Sequence, residues 1–128
     1  MAKAYISIWS NQSAAEMVKF YKSIFKGTKV GKFSYWGENP MGVKVGSVLT
    51  AHLTVLGQKI MLLNGFVDMP FNESISMVVP CKTQREIDMY WKKLIAGGGR
   101  PAQCGWLVDK FGVRWQIVPA DFDKWNTS

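Results

Sequence analysis

Residues 13–27, SAAEMVKFYKSIFKG, align without a gap on residues 83–97, TQREIDMYWKKLIAG, and this internal repeat limits the possible folds more than any other feature of the chain. Both segments open on a capping-box pattern, Ser13 with Glu16 and Thr83 with Glu86, in which a hydroxyl takes the third amide and a carboxylate reaches back. Both then place apolar residues at helical spacing: Met17, Phe20, Tyr21, Ile24 and Phe25 against Ile87, Tyr90, Trp91, Leu94 and Ile95. Each ends near a glycine suited to a left-handed helix stop, Gly27 and Gly97. The spacing predicts two amphipathic helices in equivalent places.

The repeat extends into strands. Short β-branched runs precede the helices, YISIW (5–9) and SISMVV (74–79), and matching hairpin ends follow them, GQKIMLLN (57–64) and GVRWQIVP (112–119). Module one carries the extra length: a further strand, KVGKFSYW (29–36), and a Gly/Pro-rich loop, GENPMGVKVG (37–46), which module two shortens to GGGRPAQ (97–103). One domain over residues 1–128 is expected, with module one at about 3–65, a linker at about 66–73, module two at about 74–120 and a short C-terminal tail.

A two-residue turn at Leu56–Gly57 pairs Val55 with Gln58, Thr54 with Lys59, Leu53 with Ile60 and His52 with Met61. Paired residues share a face. One face is then Ala51, Leu53, Ile60 and Leu62, apolar throughout and suited to the helix stripe; the other, with Thr50, His52, Thr54, Lys59, Met61 and Leu63, is mixed. The same register in module two pairs Asp109 with Arg114, Val108 with Trp115, Leu107 with Gln116 and Trp106 with Ile117, although a four-residue DKFG loop would shift it. It assigns Trp106 and Trp115 to the core, as helical and strand spacing does Trp9 and Trp91, and Gln116 to the mixed face. Either register sets Trp115 and Gln116 on opposite sides. Mixed faces of two curved sheets then line a concavity with helices outside, the usual form of a small-molecule pocket.

Bulk properties narrow the partners. The net charge is +7, but the 16 Lys and Arg never run more than two together, which favours a solvated basic surface over nucleic-acid binding and leaves attraction for an anionic small molecule. No apolar run approaches the ~20 residues that span a bilayer, and MAKAYISIW lacks the apolar core of a signal peptide, so a cytoplasmic protein is expected. Cys81 and Cys104 show no metal-binding spacing and read as reduced thiols.

With two β-α-β-β-β modules and the segments FYKSIF, LTVLGQKIMLLNG, FNESISMVV, IDMYWKKL and CGWLVDKFGVRWQIVP, nearly the whole chain resembles the PhnB-like branch of the vicinal oxygen chelate superfamily, often labelled 3-demethylubiquinone 3-methyltransferase. The superfamily also holds glyoxalase I, extradiol dioxygenases and resistance proteins of the bleomycin and fosfomycin type. The resemblance implies an α+β, glyoxalase-like fold and homodimers. It also implies a divalent-metal site on the first and last strands of each module. The corresponding positions here are Ile6, Met61, Ser76 (or Ser74 in a slipped register) and Gln116, two without a useful donor and two neutral. Such a set does not suit a catalytic ion.

The expected pocket residues are Ile6, Trp36, His52, Lys59, Met61, Phe71, Ser76, Arg114 and Gln116. His52, the single histidine, is the one catalytic candidate, and a strand histidine in the cavity wall is the alternative. Gln116 is read as a ligand contact or a satisfied polar group. Lys59 and Arg114, at equivalent positions, are read as an anion-binding mouth or as solvated charges, with Asp109 a partner for Arg114. Trp36 and Phe71 are rim residues for stacking on a planar ligand, or interface core. A methyltransferase does not fit, because the Gly-rich turn after an early strand is missing and GGGR (97–100) follows a helix. The expectation is a binding protein for an aromatic or anionic small molecule, with no cofactor. The alternative is a metal-dependent lyase or dioxygenase with a non-standard site built on His52 and Gln116; a third reading is a domain that mainly dimerises.

Overall fold

The computed structural model describes residues 2–121, so most of the expected C-terminal tail lies outside the described residues. The chain divides into two compact units, Met1–Met69 and Pro70–Ser128, and the junction falls within the expected linker. In unit one, β1 (Ile6–Ser10) leads through α1 (Ala14–Ile24) to β2 (Lys29–Tyr35), β3 (Val48–Val55) and β4 (Gln58–Asn64). In unit two, β5 (Met77–Cys81) leads through α2 (Gln84–Ile95) to β6 (Arg100–Pro101), β7 (Trp106–Val108) and β8 (Arg114–Pro119). Each unit forms a mixed four-stranded sheet, ordered β1-β4-β3-β2 and β5-β8-β7-β6, whose first and last strands in sequence run parallel. The βαβββ repeat is therefore complete, and the short GGGRPAQ segment still contributes a strand of two residues. Pro101, with no N–H to give, suits that edge position. No helix among the described residues is long and apolar enough to cross a membrane.

Unit one keeps the register that the sequence predicts. Val55 pairs with Gln58, Thr54 with Lys59, Leu53 with Ile60 and His52 with Met61. Leu56 and Gly57 both take positive φ, 47° and 85°, as a two-residue turn matched to strand twist requires. Ala51, Leu53, Val55, Ile60 and Leu62 are buried on one face, beneath α1 with its buried Met17, Val18, Tyr21 and Ile24. Burying each of the valine, leucine, isoleucine and methionine side chains contributes about 1.5–3 kcal/mol.

The start of α1 departs from the sequence reading. Ser13 occupies the cap position but its side chain makes no capping hydrogen bond. Asn64, at the end of β4, does the work: its Oδ1 accepts from the Ala14 amide at 3.0 Å and from Ser10 Oγ at 2.6 Å, and its Nδ2 donates to Val48 O. Ser10 and Asn64 are buried, so this network ties the helix N-terminus to the sheet where water cannot compete. In α2 the box forms nearly as read. Thr83 Oγ1 accepts from the Glu86 amide at 3.2 Å, while Glu86 Oε1 accepts from the amide of Lys82 rather than Thr83.

Unit two shifts the hairpin by one residue. Trp106 pairs with Gln116, Leu107 with Trp115 and Val108 with Arg114. The cause is the turn: Asp109 N donates to Val113 O at 2.9 Å, leaving Lys110, Phe111 and Gly112 as a three-residue loop rather than two. Leu107 therefore joins Trp115 and Ile117 in the core, and Trp106 and Val108 move to the face that bears Gln116. Trp115 and Gln116 remain on opposite sides. Of the four tryptophans assigned to the core, Trp115 is buried, whereas Trp9, Trp91 and Trp106 are half-buried. Trp9 pairs in register with Leu63 on the mixed face and gives its indole N–H to Val67 O. β5 also begins later than SISMVV implies, leaving Ser74 and Ser76 ahead of the strand.

Candidate functional site

A cavity of about 290 Å³ opens over the mixed face of unit one, bounded by β2, β3, the start of β4 and Tyr5 just ahead of β1. Its polar wall is built by register. Lys29 pairs with Thr54, and Thr54 with Lys59, so two lysines flank one threonine in a single cross-strand row. His52 lies two residues along β3 on the same face, with its ring 5.5 Å from Tyr5 in an edge-on contact. Lys32 completes the basic wall, next to a register shift of β2 between Val30 and Phe33. Gly31 lies within that shift. A Cβ there would come 3.1 Å from His52 Cβ, so the missing side chain lets β2 approach the imidazole closely.

Two predicted residues, His52 and Lys59, line this cavity. Met61 lies opposite His52 in the β3–β4 pair, as expected. Ile6 is on the other side: it pairs with Ile60, whose neighbour Leu53 faces the helix, and the mixed-face position of β1 belongs to Ser7, opposite Met61. Trp36, just past β2, buries its indole Nε1 without a hydrogen-bond partner among the described residues.

In unit two, Gln116 Nε2 donates to Ser76 Oγ at 2.8 Å, which selects Ser76 over Ser74 as its neighbour. Ser74 instead donates to Asn72. Arg114 is not paired with Asp109. Its Nε meets Glu73 Oε2 at 3.0 Å and its Nη1 donates to Gly112 O, and the Arg114 hydrogen bond holds the Glu73 carboxyl below the usual carboxylate range. Asp109 is buried, accepting at Oδ1 from the amides of Phe111 and Val113 and at Oδ2 from Trp115 Nε1. Phe71 packs on the turn beside Gly112, where a Cβ would sit 3.0 Å from its ring.

The sequence places Thr54 on the mixed face but does not name it for the pocket, and it gives Tyr5, Lys29 and Lys32 no pocket role at all. A glycine inside the strand KVGKFSYW was the available signal, since it marks a bulge or a close approach.

The chain matches the family model described as 3-demethylubiquinone-9 3-methyltransferase over residues 2–118. It belongs to that family, the PhnB-like branch of the vicinal oxygen chelate superfamily. A putative 3-demethylubiquinone-9 3-methyltransferase, a PhnB protein from Bacillus cereus, is similar in structure at a TM-score of 0.78 and 31% identity, over 93% of this chain and 100% of that one. The fosfomycin resistance protein FosX from Listeria monocytogenes shares the fold at a TM-score of 0.70 and 12% identity, over 99% of this chain and 98% of that one. A Pseudomonas aeruginosa protein does so at 0.71 and 15%, over 93% and 98%. The PhnB-like chain thus has the glyoxalase-type α+β fold. Among curated proteins none matches it.

A metal of the superfamily type does not fit the residues at the implied positions. Ser7 and Met61 in unit one, and Ser76 and Gln116 in unit two, offer two hydroxyls, a thioether and a neutral amide already hydrogen-bonded to Ser76. A divalent ion needs ionised or imidazole donors to offset its lost hydration. Among the described residues no three of His, Cys, Asp and Glu cluster in a way that would hold one.

Proposed function

We propose that this PhnB-like protein is a small-molecule binding protein that works without a metal and without methyl transfer. The observation that carries this reading is the unit-one cavity, whose apolar Tyr5 and Val30 stand beside Lys29, Lys32, Lys59, His52 and Thr54. Concave sites with a few convergent polar groups bind small organic molecules. The donor set at the superfamily's metal positions supports the metal-free part.

The test is a thermal-shift and calorimetry panel of aromatic and anionic compounds, run with divalent metals and with chelator. Saturable binding that chelator leaves unchanged is expected. A stoichiometric metal in carefully purified protein, abolished by His52→Ala, would overturn the reading in favour of a lyase- or dioxygenase-type enzyme.

Self-association belongs to the same proposal. Phe66, Val67 and Met69 in unit one, and Ile75 and Val78 in unit two, leave large apolar side chains exposed. Sedimentation at micromolar concentration checks it, and a stable monomer counts against it.

A further inference from the structure

The cavity's own chemistry specifies a class of ligand. We infer that the unit-one cavity receives a small oxyanion of two or more negative charges, such as a phosphoryl compound or a polycarboxylate, held by Lys29, Lys32 and Lys59 with Thr54 and His52. This rests on the binding reading above and narrows it.

Three observations converge. First, the register brings the charges together: Lys29 and Lys59 flank Thr54 across neighbouring strands, and Lys32 joins them beside the β2 shift. Strands are ~4.8 Å apart, so the two outer backbones lie about 10 Å apart, a span that long lysine side chains close around one ligand.

Second, among the described residues no carboxylate lines this cavity. Lys29, Lys32 and Lys59 are exposed around one space of about 290 Å³, where solvent screens their mutual repulsion without abolishing it, and a monoanion offsets less of it than a dianion does. A di- or trianion gains from all three lysines at once.

Third, the hydrogen-bonding groups are mismatched with a neutral ligand. Each lysine brings three donors and no acceptor, while the threonine hydroxyl and the imidazole each add a donor. An ionised phosphoryl or carboxylate group is the complement, since it only accepts. Size sets the remaining limit. The cavity has room for roughly ten water molecules, enough for the anionic group and a short carbon skeleton against Tyr5.

The test uses the full chain at low ionic strength, with inorganic pyrophosphate, citrate, an oligonucleotide, the neutral aromatic compound benzyl alcohol and neutral glycerol as titrants and backbone amide shifts to locate binding. Pyrophosphate or citrate should saturate with shifts at residues 29–32, 52–54 and 59–60, and the tighter of the two assigns phosphoryl or carboxylate recognition. Lys29→Ala, Lys32→Ala and Lys59→Ala should each weaken binding about tenfold, as should raising salt from roughly 20 to 200 mM. Lys19→Ala, an exposed helix position away from the cavity, should change nothing. If neither anion shifts these amides while a neutral aromatic compound does, the inference fails and the binding reading stands; if nothing shifts them, both fail. Binding that survives all three lysine changes, or saturation only by a long polyanion such as an oligonucleotide, also overturns the inference.

Discussion

Asp109 spends its carboxyl on structure. It is 2% exposed and accepts from two turn amides and from the Trp115 indole, so one side chain both shapes the three-residue turn and anchors the core tryptophan. Removing it strands buried donors, the costly direction for a hydrogen bond. Asp109→Ala is expected to lose about 3 kcal/mol in urea unfolding, and Asp109→Asn distinctly less because one acceptor oxygen remains. Leu56 shows the opposite case. Its φ of 47° is a left-handed conformation that an exposed leucine adopts at a cost, and asparagine tolerates it better. Leu56→Asn should therefore raise stability by about 0.5–1 kcal/mol, checked by the shift in urea midpoint at unchanged m-value.

At the scale of elements, two helices with nearly the same sequence signature begin by different means. Thr83 caps α2 locally, whereas α1 is capped across the fold by Asn64. Thr83→Ala should cost about 1 kcal/mol, and Asn64→Ala about 2 because it also frees Ser10 and Val48. Ser13→Ala should cost under about 0.5, a contrast that a helix-local reading would reverse. Both helices, their stripes and the first hairpin register were legible because they depend on residues a few positions apart. The second hairpin was not. Its turn holds three residues because Asp109 turns inward, and one residue of slip exchanges the faces of Trp106 and Leu107.

For the whole molecule, shifted ionisations outline a stability window. The Glu73 carboxyl is held down by its hydrogen bond from Arg114, so its contribution is full above the ordinary carboxylate pKa of about 4.3 and is lost as pH falls through the lowered folded value. Burial, with Glu86 nearby, pushes the Cys81 thiol and the Tyr90 phenol up. Their contribution is full below about 8.5 and about 10 respectively, and is lost as pH rises through the raised folded values. Unfolding free energy measured across pH should form a plateau between these limits; because Glu73 is exposed and solvent screens its ion pair, Glu73→Gln should change the acid side only slightly. The same burial predicts unequal thiols: Cys104, exposed, should react at once with a thiol reagent near pH 8, and Cys81 only on unfolding or at higher pH.

The sequence alone determined the repeat, the βαβββ order, the family and the faces of β3 and β4, because periodicity and short-range turn chemistry carry that information along the chain. It also brought His52 and Lys59 to one face. Only the tertiary structure decided which residues surround them. The β2–β3 register turns on an irregularity at Val30–Phe33, Asn64 reaches a helix 50 residues earlier, and Arg114 turns to Glu73 rather than to Asp109. Each of these is settled by a pairing between distant segments, where one residue of shift costs little in local propensity and changes every neighbour.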